Sequence, residues 1–366
     1  MRIIHVEDYE PFVGAAMIER IKQKARPLQG LHITHVNSTY YGGGVAELLS
    51  SLTLLMNSVG IKTGWRVIQG SPDFFSVTKK MHNALQGGEI DLSELKQGIY
   101  EGVVYENAIR NHLDHDRVIV HDPQPLPLVN HYQKKGPWIW RCHIDLTNPN
   151  RELWNYLAPF IEQYDAVIFT LEEYAQKLQV PQVFFMPAID PFSIKNKKMS
   201  EDEIQERLNY YDIPTDLPLV TQISRFDRWK DPEGVIQAFK LARGEMDATL
   251  VLLGNIATDD PEGERVYQIR EGFGLTVAEA MWKGTPVIGG NVGGIRYQIE
   301  DGVNGFLVSS VEEAADRIVQ LIKDEKLREQ MGQSARESVR KRFLMIRLLE
   351  QYLELLNSFE TVYRLI

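Results

Sequence analysis

Short apolar runs separated by helical stretches dominate the first half of the chain. Residues 31–37, LHITHVN, read as a strand, and Tyr40-Tyr41-Gly42-Gly43-Gly44 as the loop after it. Val45, Leu48, Leu49, Leu52 and Met56 then recur at helical spacing, and Trp65-Arg66-Val67-Ile68 reads as the next strand. Strand, helix and strand in that order make a crossover unit, whose strands run parallel. Further runs at Val118–Val120, Trp138–Trp140, Ala166–Phe169 and Val183–Phe185 have the length of buried parallel strands.

Near residues 190–215 the pattern breaks. DPFSIKNKKMSEDE is polar and lysine-rich, and reads as a linker leading into a helix start. The rhythm then resumes with a strand at Leu219–Ile223, a helix marked by Val235, Ile236, Phe239 and Ala242, and a strand at Leu250–Leu253. A helix from Thr276 to Met281, a strand at Pro286–Ile288 and a helix marked by Val311, Ala314, Ala315, Ile318 and Ile322 follow. The tail from Leu344 to Leu365 is helical and too apolar to be free, which predicts that it packs back on the body. The expectation is an α/β protein of two halves joined near residue 195. In such sheets ligands sit at the carboxyl ends of the strands, and two facing halves make a cleft.

A length of 366 residues suits two such domains. With 43% hydrophobic and 25% charged residues, the disordered, collagen-like and coiled-coil classes drop out. The net charge of −10 argues against a nucleic-acid or anionic-membrane partner, although a local basic cluster could hold one phosphate ligand. Cys142 is the one cysteine, so no internal disulfide forms and a reducing compartment fits. The start MRIIHVEDYE lacks a signal-peptide pattern, and no segment approaches ~18 uninterrupted apolar residues. A cytoplasmic protein without a membrane span is expected.

Four segments carry candidate chemistry. In REGFGLTVAEA, Glu271 precedes a helix and Glu279 lies about two turns inside it; Gly272, Phe273, Gly274 and Leu275 lead into that helix. Glycines let backbone amides approach a ligand, a helix N-terminus favours phosphate, and carboxylates accept hydrogen bonds from sugar hydroxyls. The same residues also fit a glycine-rich turn with an acid placed for the helix dipole. In SRFDRWKDP, Arg225 and Lys230 follow a strand and could neutralise a diphosphate leaving group, or form a solvated charged loop with Asp227 and Asp231. Gly42-Gly43-Gly44 could cradle a phosphate or simply make a tight strand–helix turn, and it matches neither common nucleotide-loop fingerprint. Finally, HDPQP (Asp122, Gln124) and RCHID (Arg141, His143, Asp145) each sit just past a strand and point to the same sheet edge as the glycine loop. A polyhydroxyl substrate suits this set, and no metal-ligand spacing is present.

Taken together, EGFGLTVAEA with TPVIG and VGG resembles the E-x7-E signature of retaining, nucleotide-sugar-dependent glycosyltransferases of two-Rossmann (GT-B) fold. PAIDP at 187–191 is similar to that family's interdomain strand. HVNSTYYGGGVAELL, TKKMHNALQG, VHDPQP, PWIWRCHIDLTNPNRELW and SRFDRWKDP resemble the trehalose glycosyltransferring synthases, over roughly residues 30–355. The resemblance implies an acceptor-binding domain over 1–192, a nucleotide-sugar-binding domain over 193–342 and a helix over 343–366 crossing back to the first. It implies reversible transfer of glucose from ADP- or UDP-glucose to glucose, giving trehalose. Glu271 would hold donor-glucose hydroxyls, Glu279 the ribose, Arg225 and Lys230 the diphosphate, Gly43 and Gly44 the donor phosphates, and His143 the transferred glucose. Asp122, Gln124, Arg141 and Asp145 become sugar contacts, and Lys79, His82 and Asn83 are expected in a loop that orders around the acceptor. No cofactor is required, with Mg2+ at most non-essential, and the subfamily leaves room for a homodimer. Between Gly254 and Arg270 only 15 residues stand where the family has about two further strands and helices. By this resemblance a segment of the second domain is absent between 254 and 270, through an internal deletion or a gap in the sequence. A phosphorylase using inorganic phosphate, a non-catalytic sugar-nucleotide sensor and, more remotely, an NAD-dependent oxidoreductase are the competing readings.

Overall fold

The computed structural model describes residues 3–224, 230–254 and 273–363, with side chains as far as 360. The chain divides into two compact units, Met1–Asp190 with Phe343–Ile366, and Pro191–Arg342.

The N-terminal unit carries strands β1 (His32–Asn37), β2 (Lys62–Val67), β3 (Arg117–His121), β4 (Trp138–Arg141), β5 (Ala166–Phe169) and β6 (Gln182–Phe184). They form one sheet in the order β2-β1-β3-β4-β5-β6, with every pairing parallel. Helices α1 (Glu10–Val13), α2 (Ala15–Ala25), α3 (Gly43–Ser58), α4 (Pro72–Leu85), α5 (Glu94–Arg110) and α6 (Arg151–Ile161) belong to the same unit. Every residue of β3, β4 and β5 is buried. That is why these strands read as unbroken apolar runs: a parallel sheet is covered on both faces and has no solvent side to mark with polar residues. The chain leaves β1 for β2 on one side and returns to β3 on the other. The strand order therefore reverses between β1 and β3, which is where such sheets open a crevice at their carboxyl edge.

One sequence expectation is corrected here. Lys79, His82 and Asn83 lie on α4, not in a loop. Ser71 caps that helix by accepting from the Phe74 backbone N–H at 3.2 Å, and Pro72 starts it. Phe74, Val77, Thr78, Met81, Ala84 and Leu85 then bury one face at helical spacing, which fixes the three polar residues on the opposite side.

The C-terminal unit contains α7 (Glu201–Tyr210), β7 (Leu219–Ile223), α8 (Pro232–Ala242), β8 (Thr249–Leu253), α9 (Leu275–Trp282), β9 (Val287–Gly290), β10 (Gly305–Val308), α10 (Val311–Lys323) and α11 (Glu325–Arg342). Among the described residues its strands pair only two and two, β7 with β8 and β9 with β10, both parallel. A shared apolar layer spans the two pairs. Ala238 and Ala242 of α8 meet Ala315 and Ile318 of α10, and both Val220 of β7 and Ile288 of β9 pack against that cluster.

Helix α12 (Met345–Tyr363) returns to the N-terminal unit and packs on α2 and α3. Leu348, Leu349, Tyr352, Leu353 and Leu356 are fully buried there, each worth about 1.5–3 kcal/mol. Glu350 pairs with Arg20 at 2.5 Å and Lys24 at 2.6 Å, a smaller contribution because the partners are solvated. No helix among the described residues is long and apolar enough to cross a membrane.

Candidate active site

The carboxyl edge of the N-terminal sheet collects Gly43, Gly44, Asp122, Gln124, Arg141, His143 and Asp145. After β1 the chain turns through Gly42 and Gly43, with φ of 75° and 76°. A side chain at either would meet nothing within 4 Å, so glycine serves the left-handed backbone and not space. Gly43 and Gly44 then open α3, presenting exposed amides.

After β3, Asp122 takes a left-handed conformation with φ 60°, which Asp tolerates better than most residues. Its Oδ1 accepts the backbone N–H of His143 at 2.8 Å, and its own carbonyl accepts Trp140 Nε1–H at 2.9 Å. Asp122 thus ties the β3 loop to the β4 loop. Burial pushes its carboxyl up to about 6, against the His143 amide and Arg141, which pull it down. Gln124 leaves its Oε1 buried without a partner. Tyr100 of α5 donates to the Pro123 carbonyl at 2.5 Å and holds this loop in place.

After β4, the expectation for Arg141 is corrected. Its guanidinium donates to Tyr352 Oη at 2.8 Å and to the Phe185 carbonyl at 3.3 Å. It also lies 5.4 Å from the Tyr352 ring centroid. Arg141 is therefore spent on fastening β4 to α12 in the interior. Cys142 faces the interior, where burial pushes its thiol well up. Asp145 accepts from Thr147 N–H at 2.8 Å and Thr147 Oγ1–H at 2.6 Å with Oδ1, while its Oδ2 is buried and unpartnered.

His143 belongs to a group that sequence reasoning only half saw. His35 of β1, His121 at the end of β3 and His143 form a chain of rings. Nδ1 of His35 lies 2.9 Å from Nε2 of His121, and Nδ1 of His121 lies 3.0 Å from Nε2 of His143. Burial, helped by the Arg141 charge, pushes His35 down to about 3 and His121 and His143 well below the usual range. The strand reading of 31–37 does not single out His35, and nothing in the spacing announces its partners.

In the C-terminal unit, Gly274 precedes α9 with φ 79°. Gln298 Nε2–H donates to the Phe273 carbonyl and, at 3.3 Å, to the Gly274 carbonyl, fixing the approach to the helix. Leu275 is the first helical residue, and the amides there are those an anion would meet. Glu279, largely shielded, pairs with Lys195 at 2.5 Å. Lys230 lies just before α8, its carbonyl accepting from Gln222 at 2.6 Å, and Asp231 caps that helix through the Gly234 N–H at 3.0 Å. Arg225, Glu271 and Gly272 lie outside the described residues. Among the described residues no group of three or more His, Cys, Asp or Glu is arranged to hold a metal ion.

Residues 35–176 match the family described as "Trehalose synthase, N-terminal domain", and residues 265–338 match "Glycosyl transferases group 1". The trehalose synthase of Pyrococcus horikoshii is 42% identical over 398 positions, covering 96% of each chain. That of Rubrobacter xylanophilus is 36% identical over 95% of each. The Pyrococcus alignment is longer than this chain of 366 residues, so the relative carries residues with no counterpart here. A trehalose phosphorylase of Pleurotus pulmonarius is more distant, 24% identical over 58% of its own length. Among solved structures, Anabaena HepE in complex with UDP and glucose shares the fold at 18% identity and TM-score 0.65, covering 90% of this chain and 100% of that one. The α,α-trehalose 6-phosphate synthase of Burkholderia multivorans does so at 13% identity and TM-score 0.66, covering 91% and 99%.

Proposed function

The chain belongs to the trehalose synthase family of glycosyltransferases, and from that premise we propose that it transfers glucose reversibly between a nucleoside diphosphate and glucose, making trehalose with retention at C1. The observation that supports this most is the pair of buried, unpartnered acceptors, Gln124 Oε1 and Asp145 Oδ2, in the loops that flank His143. A buried acceptor without a donor costs about 1–3 kcal/mol. A hexose, with a ring of hydroxyl donors, relieves that cost where an apolar ligand cannot.

In this reading His143, Gln124 and Asp145 take sugar hydroxyls, and the amides of Gly43 and Gly44 take phosphate oxygens. Lys230 and Arg225 balance the leaving diphosphate, with the amides ahead of α9. Glu271 holds the donor glucose, and Glu279 exchanges part of its pairing with Lys195 for ribose hydroxyls. The C1–O bond to the diphosphate breaks with its electrons going to the phosphate oxygen. The acceptor oxygen bonds C1 from the same face, and its proton passes to the departing phosphate. Two cations and a helix terminus carry the charge, so the proposal requires no metal, and chelation leaves the rate unchanged. The single cysteine suits a reducing compartment, and the proposal places the enzyme in the cytoplasm.

The test is the reverse reaction on trehalose, with ADP, UDP, GDP or inorganic phosphate supplied separately. A nucleoside-diphosphate glucose is the expected product, and its base names the preferred donor. Glucose 1-phosphate formed only with phosphate makes the protein a phosphorylase. A binding-only role is the second reading, favoured by the residues that the relatives have and this chain lacks; nucleotide binding with no product from any arm selects it.

A further inference from the structure

The three histidine rings, two buried and one half-buried, carry a constraint that no pairwise contact reveals. All three rings are held neutral, so each bears one proton, and the two N···N contacts at 2.9 and 3.0 Å each need one proton between the nitrogens. His121 has a single proton to give, so the chain runs in one of two directions only. In the first, each ring donates toward His35, and His35 is left with an Nε2–H pointing at no acceptor. In the second, each ring donates toward His143, and His35 keeps only an unused lone pair on Nε2. His35 Nε2 is buried and has no hydrogen-bond partner. An orphaned buried N–H is the rarer and costlier defect, so the second direction holds. Every ring then carries its proton on Nδ1, the tautomer that a free histidine side chain disfavours in water. His143, partly open to solvent at the carboxyl edge of the sheet, makes no hydrogen bond through Nδ1.

We propose that His35 and His121 are positioning residues: they run a directional chain of neutral imidazoles that locks His143 as an Nδ1–H donor aimed at a hexose hydroxyl. The chain crosses the strand-order reversal from β1 to β3 and continues to the loop after β4. The ring of His143 is held parallel to that of His121, with centroids 5.3 Å apart and planes at 17°. A locked donor accepts no proton and gives none up, so it selects a sugar oxygen that can receive a hydrogen bond. The hexose part of this inference rests on the function proposed above; the tautomer part does not.

The test separates the two. In protein labelled with 15N-histidine, long-range nitrogen–proton correlations identify the tautomer of each ring without any ligand or variant. All three rings are expected as Nδ1–H; finding His143 as Nε2–H, or as a mixture, overturns the chain. Replacing His121→Phe is expected to return His143 to the Nε2–H form favoured in water, and an unchanged His143 signal also overturns it. In the trehalose assay His121→Phe is expected to lower kcat/KM about tenfold, the scale of one neutral hydrogen bond, yet to cost nothing further when added to His143→Ala. An equal loss in both backgrounds reduces His121 to a packing residue. Full activity of His143→Ala removes the hexose role of His143, while the spectra still decide the chain.

Discussion

The two units use similar strand sequences and bury them very differently. In the N-terminal unit VIV of β3, WIW of β4 and AVIF of β5 are shielded at every position. In the C-terminal unit LVTQI of β7 and TLVLL of β8 are half-shielded, with Ile223 56% and Leu253 51% exposed. Strand formation follows from local apolar, β-branched composition. Burial follows from neighbours, and β7–β8 and β9–β10 lack a hydrogen-bonded link among the described residues. Apolar residues on unpaired edges are what a parallel sheet shows when strands are missing from its middle or side.

The comparison can be broken most forcefully at the centre of the complete sheet. Trp140→Ala, removing a fully buried ring and its bond to the Asp122 carbonyl, should cost about 3–5 kcal/mol in denaturant unfolding of the N-terminal unit. A loss under ~1 kcal/mol would mean that the sheet is no better packed than its counterpart. Next comes the interior anchor. Tyr352→Phe takes away the hydroxyl that accepts from buried Arg141, and about 1.5–3 kcal/mol should go with it.

Acid sharpens the contrast further. His35, His121 and His143 bind protons near pH 6.5 when unfolded but not when folded. The unfolded state therefore gains protons as pH falls, and stability is lost from about 6.5 downward by up to ~1.4 kcal/mol per pH unit per ring. Asp122, raised to about 6, acts in the opposite sense between about 4 and 6, one group against three. Urea midpoints of the N-terminal unit at neutral and mildly acidic pH should differ in that direction, and His35→Leu should flatten the slope; a flat wild-type profile would refute buried neutral rings. The smallest effect belongs to the incomplete sheet: Ile223→Ala should shift stability by no more than about 0.5 kcal/mol.

Much of this architecture was legible along the chain because burial on both faces leaves a simple mark. β5 and β7 fall where their apolar runs end, and α12 announced itself by being too apolar for a free tail. Elements whose partners decide them were less visible. α11 is polar on most of its surface, and β10, GFLV after a turn, is short and begins with glycine. The same limit applied to the site. The loop positions of Gln124, His143 and Asp145 followed from strand ends. The inward turn of Arg141 required Tyr352, 211 positions away, and the helix bearing Lys79 required the buried neighbours of Phe74.

The N-terminal unit is discontinuous: it closes only when residues 343–366 join the first 190. Ile189 N–H donates to the Phe343 carbonyl at 2.8 Å, and Met345 N–H donates to the Ile189 carbonyl at 3.0 Å, so the outgoing and returning segments are stitched together. During synthesis the six strands emerge long before α12, and Arg141 must wait for Tyr352. The C-terminal unit, continuous in the chain, is made entirely within that interval. The ribosome thus delivers the larger core unfinished, and α12, made only after the whole intervening unit, is the helix that completes it.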